Sequence, residues 1–228
     1  MPIPPQTQIL PRTTAKERVY QTLRQWIING TLQPRERLND VELARYFSVS
    51  RTPVREALQL LSEKKLVQIV PSSGTYVAPI DDQDMAHVYQ LLVALQSLAL
   101  ELCIRTITPE QLERLEELNE HFSRCCAAGT PEQASEADYQ FHQYLCGLSG
   151  NPYLLSFSEQ LELQACRNEN RFFQEDAQSA QSYQNHRSIL EALRAGDLEG
   201  AKAELKKNWD VSLRWMLDNP SKAEDGRP

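Results

Sequence analysis

The sequence predicts a mainly α protein in two parts: three short helices and a β-hairpin, followed by an all-α helical bundle. Apolar residues recur at helical spacing along most of the 228 residues, β-type runs of comparable strength sit together around residue 70, and the charge changes sign between the two parts. Residues 1–80 hold eleven Lys and Arg against six Asp and Glu, and the remainder holds 13 against 25. The net charge of −7 therefore conceals a module of +5 on a body of −12. A basic module suits a partner that carries phosphates; the acidic body does not.

Composition narrows the class further. An apolar share of 41% is enough for a buried core and excludes wholesale disorder. The length suits two small domains. The longest apolar stretch, Leu91 to Ile104, is interrupted by Gln96, Ser97 and Glu101. It falls short of the ~18 residues of a membrane span, so no membrane partner is expected. The start, MPIPPQTQILPRTT, has four prolines and no apolar run, unlike a secretory signal. Five cysteines, none in a CxxC pair, point to free thiols in a reducing, cytoplasmic setting.

In the N-terminal part, Val19, Leu23, Trp26 and Ile27 mark one face of a first helix that should end at Asn29-Gly30. Thr31 to Leu38 reads as a loop. A short helix follows, capped by Asn39 or Asp40, with Val41, Leu43, Ala44 and Phe47 as its apolar positions. After a tight turn at Ser48-Val49, Ser50 or Thr52 caps a third helix. Pro53 is tolerated there because its missing N–H would lack an intrahelical partner. Val54, Ala57, Leu58 and Leu61 form its apolar stripe. LVQIV and GTYVA, joined through Pro71-Ser72-Ser73 and Gly74, read as a hairpin.

That order is the order of a winged helix-turn-helix. A helix of about 13 residues is about 20 Å long and fits a major groove. Its first turn offers Ser50, Arg51, Thr52 and Arg55. Arginine can pair bidentately with guanine, and hydroxyls and helix N-terminal N–H groups can hold phosphates. The plainer alternative is that Arg51 or Arg55 merely pairs with Glu56 or Glu17.

The stretch from Val19 to Val77 resembles the GntR family of bacterial transcription factors. The resemblance rests on Gly30-Thr31-Leu32, Pro34, Arg37-Leu38, Leu43-Ala44, the specific run VSRTPVREAL from Val49 to Leu58, and the wing GTYV. It implies operator contacts by Ser50, Arg51, Thr52, Pro53 and Arg55, with the wing around Ser73 and Gly74. Two positions depart from the family pattern. Arg35 stands where glycine usually follows proline, and Lys64-Lys65 replaces an acidic residue and glycine at the helix end. Loss of that glycine is expected to shift the wing slightly.

From Asp81 onward the capping signals predict six helices. Asp81 or Asp82 starts the first, which carries Val88, Leu91, Leu92, Leu95, Leu98, Ala99 and Leu102. Thr108-Pro109-Glu110-Gln111 and Thr130-Pro131-Glu132-Gln133 are capping boxes with proline at the first helical position. Asn151-Pro152 starts a fourth helix, carrying Leu154, Leu155, Phe157, Leu161 and Leu163. A fifth runs from about Ala177 to Ala195, and Asp197 caps the last, with Leu198, Ala201, Leu205, Trp209, Leu213 and Met216 inward. A break near Arg167–Arg171 would make seven. The resulting division is an arm over 1–14, the winged helix-turn-helix over 15–79, a helical domain over 82–218, which the family resemblance implies is for effector binding and dimerisation, and a tail over 219–228.

This body resembles the FCD effector domain of the FadR branch of that family, in its six-helix, VanR-like version. The shared features are Asp138 with His142, the run SGNPYL, His186 followed by Ile189-Leu190, and Gly196-Asp197. In metal-binding members the matching positions carry Asp, His, His and His around a divalent ion of the zinc or nickel type. Here they are Asp138, His142, His186 and Asn208. An amide oxygen is a weaker donor than imidazole, so the resemblance implies a weakened site. The other reading is a buried Asp138–His142 hydrogen-bonded pair.

The family's R-x-x-L-E pattern in the first body helix is replaced by Leu92-Val93-Ala94-Leu95-Gln96. Without that Arg fork, a simple organic acid is a less suitable effector. Leu92, Gln96, Tyr139, Arg167 and Arg171 are the candidate effector-pocket residues, although an Arg pair one turn apart is more commonly plain surface charge. Together these readings imply a homodimeric regulator, a repressor in the first instance, with a double-stranded DNA operator and a small-molecule effector. An effector-free or metal-responsive regulator is the alternative. A metal-assisted hydrolase is disfavoured by the lack of a nucleophile elbow, a phosphate-cradling glycine loop and a general base beside the cluster.

Overall fold

The computed structural model describes residues 14–219. The sequence-predicted arm and tail therefore lie, apart from Thr14 and Asn219, outside the described residues. The chain divides into two compact units, one from residues 14–27 and 31–78, the other from 28–30 and 79–219.

The first unit holds α1 (Ala15–Ile28), β1 (Arg37–Leu38), α2 (Asp40–Tyr46), α3 (Arg51–Glu63), β2 (Val67–Val70) and β3 (Gly74–Val77). Val19, Leu23 and Ile27 of α1 meet Ala44 of α2, Val54, Ala57, Leu58 and Leu61 of α3, and Val67 and Val77 of the wing in one core. The wing is the expected hairpin, with Val67 opposite Val77 and Val70 opposite Gly74. The expected loop over Thr31–Leu38 contains one element that the sequence does not signal. Arg37 and Leu38 pair with Tyr76 and Thr75 as a third antiparallel strand, in the order β1-β3-β2. Two residues are too few for any alternation to register.

Both departures from the family pattern fall where the backbone is left-handed: Arg35 has φ 68° and Lys65 has φ 58°. A side chain at such a position costs roughly 1 kcal/mol relative to glycine. At the end of α3 the local bonding of a glycine cap survives regardless. Leu66 N–H donates to the Leu61 carbonyl (2.9 Å) and Lys65 N–H to the Ser62 carbonyl (3.0 Å). The wing register is thus kept by the lysine itself adopting the turn.

The second unit contains, among the described residues, six helices: α4 (Asp82–Cys103), α5 (Pro109–Ala128), α6 (Pro131–Gly147), α7 (Pro152–Phe172), α8 (Asp176–Ala195) and α9 (Leu198–Asp218). α7 runs unbroken through Arg167–Arg171. Asp81 caps α4, and both capping boxes form, with Thr108 accepting from Gln111 N–H and Thr130 from Gln133 N–H. Asn151 and Asp197 cap α7 and α9, and Gly196 closes α8 at φ 66°. Tyr89, Leu100, Leu115, Phe122, Phe141, Leu145, Phe172, Ile189, Leu205 and Trp209 fill the centre.

α4 is the described helix long and apolar enough to cross a bilayer by length and mean hydropathy, and it is apolar nearly all round. Its inner face carries Tyr89, Leu92, Gln96, Ala99, Leu100 and Cys103. Leu91, Leu98 and Leu102 lie outside, at 40–52% exposure. Phe157 of α7 is also exposed.

Candidate DNA interface and candidate metal centre

α2 and α3 pack against each other, and this packing presents the first turn of α3. Ser50 takes the N-cap position without a side-chain cap bond, so its hydroxyl is not spent on the helix. Ser50, Arg51, Thr52 and Arg55 are exposed and Pro53 is half-buried, while Val54 immediately beside them is fully buried. The core thus fixes the rotation of α3 and turns this polar set outward.

Both arginines pair with Asp40 at the start of α2, rather than with Glu56 or Glu17. Arg51 donates through Nε (3.3 Å) and a terminal nitrogen (3.0 Å to Oδ2, 3.3 Å to Oδ1). Arg55 donates through Nε alone, at 2.6 Å. Slight burial pushes the Asp40 carboxyl upward, but hydrogen bonds and charge from Arg55 and Arg51 hold it below its ordinary value.

Between β1, the start of α2, α3 and the wing lies a cleft of about 420 Å³ whose lining includes Arg37, Asp40, Arg55, Gln59 and Gly74. Arg37 donates to the Ser73 carbonyl, and the Ser73 hydroxyl bonds the Tyr76 hydroxyl (3.0 Å), tying down the wing tip. Gly74 has φ 147°, and a Cβ there would meet Arg37 Nε at 3.2 Å.

In the second unit, Asp138, His142 and His186 are buried together, and each offers a ligating atom within 4.8 Å of the others. Asp138 Oδ2 lies 3.7 Å from His142 Nε2, and Oδ1 lies 3.4 Å from His186 Nε2. Asn119 of α5 fixes the tautomer of His186. Its Nδ2 donates to the Tyr183 carbonyl, so its Oδ1 faces His186 Nδ1 at 2.9 Å, and that nitrogen carries the proton. His186 Nε2 then turns a lone pair toward Asp138 Oδ1, and neither atom has a hydrogen-bond partner among the described residues. Burial pushes His142 down to about 3 and lowers His186, with the His142 charge adding to the latter. Burial and then the Glu162 charge raise Asp138. Two acceptors face each other, and either a proton on the carboxyl or a cation resolves the clash.

Asn208 also reaches the cluster: its Nδ2 lies 3.4 Å from His142 Nε2, and its Oδ1 has no partner among the described residues. Phe141 stacks on His186 at 4.1 Å, and Trp209 lies 4.7 Å from His142, walling the rings in.

The five candidate effector residues have different surroundings. Leu92 is core. Gln96 is fully buried with both ends of its amide used, accepting from Trp209 Nε1 (2.9 Å) and donating to Glu162 (2.8 Å). Tyr139 is half-buried against Leu163 and Cys166. Arg167, for which surface charge is the commoner sequence reading, is only 6% exposed and donates to the Pro79 carbonyl. Arg171 sits over the Trp215 ring and donates to the Asn219 carbonyl.

Sequence reasoning missed Asn119, Asp40 in its ion-pairing role, and the buried acids Glu162 and Glu169. None has a motif, and polar residues on a buried face carry no periodic signal. Burial pushes Glu162 up to about 7 from an ordinary 4.5. Its folded value is raised, so the stability it contributes is complete below pH 4.5 and is lost as pH rises through 7. In chelator-treated protein, Glu162→Gln keeps the acceptor used by Gln96 and Ser158. It should therefore stabilise the fold by about 1–3 kcal/mol at pH 8 and by nothing at pH 4.5, read from urea unfolding. A variant no more stable than the parent at pH 8 contradicts this.

A winged helix-turn-helix followed by an FCD-type helical bundle defines the class of protein: a DNA-binding transcriptional regulator, not an enzyme. Residues 15–77 match the family of bacterial regulatory proteins, gntR family, and residues 87–210 match the FCD domain, so the chain belongs to the GntR family in its FCD-bearing form. It is 31% identical over 186 residues to the HTH-type transcriptional regulator YdhC of Bacillus subtilis, covering 80% of this chain and 82% of that one. It is 26% identical over 186 residues to the HTH-type transcriptional regulator McbR of Escherichia coli, covering 81% and 84%. The solved structure of E. coli McbR/YncC superposes with a TM-score of 0.81 at 24% identity, over 92% of this chain and all of that one, and so shares the fold.

Proposed function

We propose that this regulator is a cytoplasmic homodimeric repressor that reads a pseudo-palindromic operator through the first turn of α3. The observation that carries the reading is the exposed pair Arg51 and Arg55, flanked by the hydroxyls of Ser50 and Thr52, at the end of a helix whose opposite face is fully buried. Pro53 starts the helix in register, and Ser73 and Gly74 at the wing tip track the backbone. Two recognition helices require half-sites about one DNA turn apart, which calls for a two-fold dimer. The stripe Leu91, Leu98 and Leu102 on α4, with Tyr153 and Phe157 on the adjoining α7, is the apolar face we assign to the second copy.

A bacterial genomic duplex library selected on the protein should yield a two-fold symmetric site. Its affinity should fall linearly on a log–log salt plot, with a slope of about −0.9 for each phosphate neutralised. Recovery of no enriched duplex contradicts the reading.

Regulation is assigned to the second unit: a small-molecule effector bound there shifts the protein between states that differ in operator affinity. Leu92, Gln96, Tyr139, Arg167 and Arg171 remain the candidate residues for that role. Of these, Gln96 would contribute shape rather than a hydrogen bond, both ends of its amide being used by Glu162 and Trp209.

A metal-responsive reading is favoured by one observation: Asp138 Oδ1 and His186 Nε2 face each other, each without a hydrogen-bond partner among the described residues. Asp138, His142 and His186 fit a divalent ion of the zinc or nickel type, and Asn208 would supply a neutral, weaker fourth donor. Such an ion, when bound, supplies positive charge to a buried cluster that otherwise needs a proton. Calorimetry with zinc should show Asn208→His binding at least about tenfold more tightly than the parent, since imidazole replaces an amide. Equal affinities count against the site.

A further inference from the structure

We propose that Asp40 is a specificity-determining positioning residue, holding Arg51 and Arg55 so that they are spent on base edges rather than on phosphates. This rests on the reading of α3 as the DNA-reading helix.

Asp40 is the first residue of α2, and its backbone is fixed by the Asn39 side chain, which accepts from Val41 N–H at 3.0 Å. A carboxylate on the first turn of a helix is favoured by the helix dipole. It stands 11 and 15 residues before the two arginines and meets both because α2 and α3 pack together. The two pairings are not equivalent. Arg55 is held through Nε alone, which leaves both terminal nitrogens, the edge that matches guanine O6 and N7, available. Arg51 is gripped side-on through Nε and one terminal nitrogen, leaving the other terminal nitrogen unbonded to Asp40.

Two physical consequences follow. Two long, flexible side chains are restrained before DNA arrives, so less freedom is lost when they dock. The trio also carries +1 instead of +2, and its guanidinium groups are tethered. Sequence-independent affinity comes from Lys and Arg reaching phosphates. Asp40 therefore lowers non-specific binding more than operator binding. Ion pairs whose arginines are this exposed contribute little to folding, and a purely structural role for Asp40 would leave the operator-to-scrambled ratio unchanged.

The test measures operator and scrambled-duplex affinities of the full-length protein across a salt series for the parent, Asp40→Asn, Asp40→Ser and Asp40→Glu, alongside Arg51→Ala and Arg55→Ala. Melting temperatures confirm that each variant is folded. Asp40→Asn and Asp40→Ser should bind scrambled duplex several-fold more tightly, with a salt slope steeper by about two, the increment for one added phosphate contact in each protomer of the dimer. The ratio of operator to scrambled affinity should fall about tenfold or more, and Asp40→Glu should restore part of it. An unchanged ratio and slope in both neutral variants, with the arginine variants impaired on operator, overturns the role of Asp40 and leaves the DNA-reading helix in place. Unimpaired arginine variants overturn the reading of α3, and this inference with it.

Discussion

Arg55→Ala is expected to weaken operator binding by about 1–3 kcal/mol for each half-site and to relax preference at one base pair in each. A two-fold dimer uses the side chain twice, so the whole operator loses about twice that, several powers of ten at the upper end. The structure supplies the reason for singling out this arginine. Its α-carbon is fixed by a helix whose buried stripe Val54, Ala57, Leu58 and Leu61 is at most 3% exposed, and its two terminal nitrogens are not used by Asp40. Fluorescence anisotropy against the selected operator and against single-base variants checks both parts. A uniform loss over all duplexes, with base preference intact, would mark Arg55 as a phosphate contact instead.

Phe141→Ala should be the most destabilising single change near the buried cluster. Phe141 is fully buried, stacked on His186 with rings 14° from parallel and set edge-on to His142 at 5.3 Å. Removing it leaves a cavity beside two polar rings that cannot follow it, at a cost of about 3–5 kcal/mol. At about 2–4 °C per kcal/mol for a chain of this size, the melting temperature falls by roughly 6–20 °C. Calorimetric melting at neutral pH reads this directly. A shift of a degree or two would mean that the rings are held by Asn119 and Trp209 alone.

The fold was largely legible because its signals are local. Asn39, Thr108, Thr130, Asn151 and Asp197 each cap the helix expected of them, and the hairpin stands where two β-type runs flank a Pro-Ser-Ser turn. The candidate DNA residues were legible for a similar reason: a polar first turn followed by a helical stripe leaves one outward direction. Pairings set by tertiary packing were not legible. Nothing in spacing links Asp40 to residues 11 and 15 positions later, or Asn119 to His186. α4 misleads because it is apolar on nearly every side. Its pattern does not tell Leu92, which is buried, from Leu91, which is half exposed, nor reveal that the polar Gln96 belongs to the core. Arg167 shows the converse, a charged residue that is buried and donates to a carbonyl far along the chain.

The central claim is that the tip of α3 meets base edges in a two-fold site. Hydroxyl-radical footprinting of the selected duplex, with missing-base interference at each position, tests it most directly. The account requires two protected blocks about one helical turn apart, with interference at guanines that disappears for Arg55→Ala while the flanking backbone protection persists. A single unbroken block without base interference, or interference that survives the substitution, would contradict it.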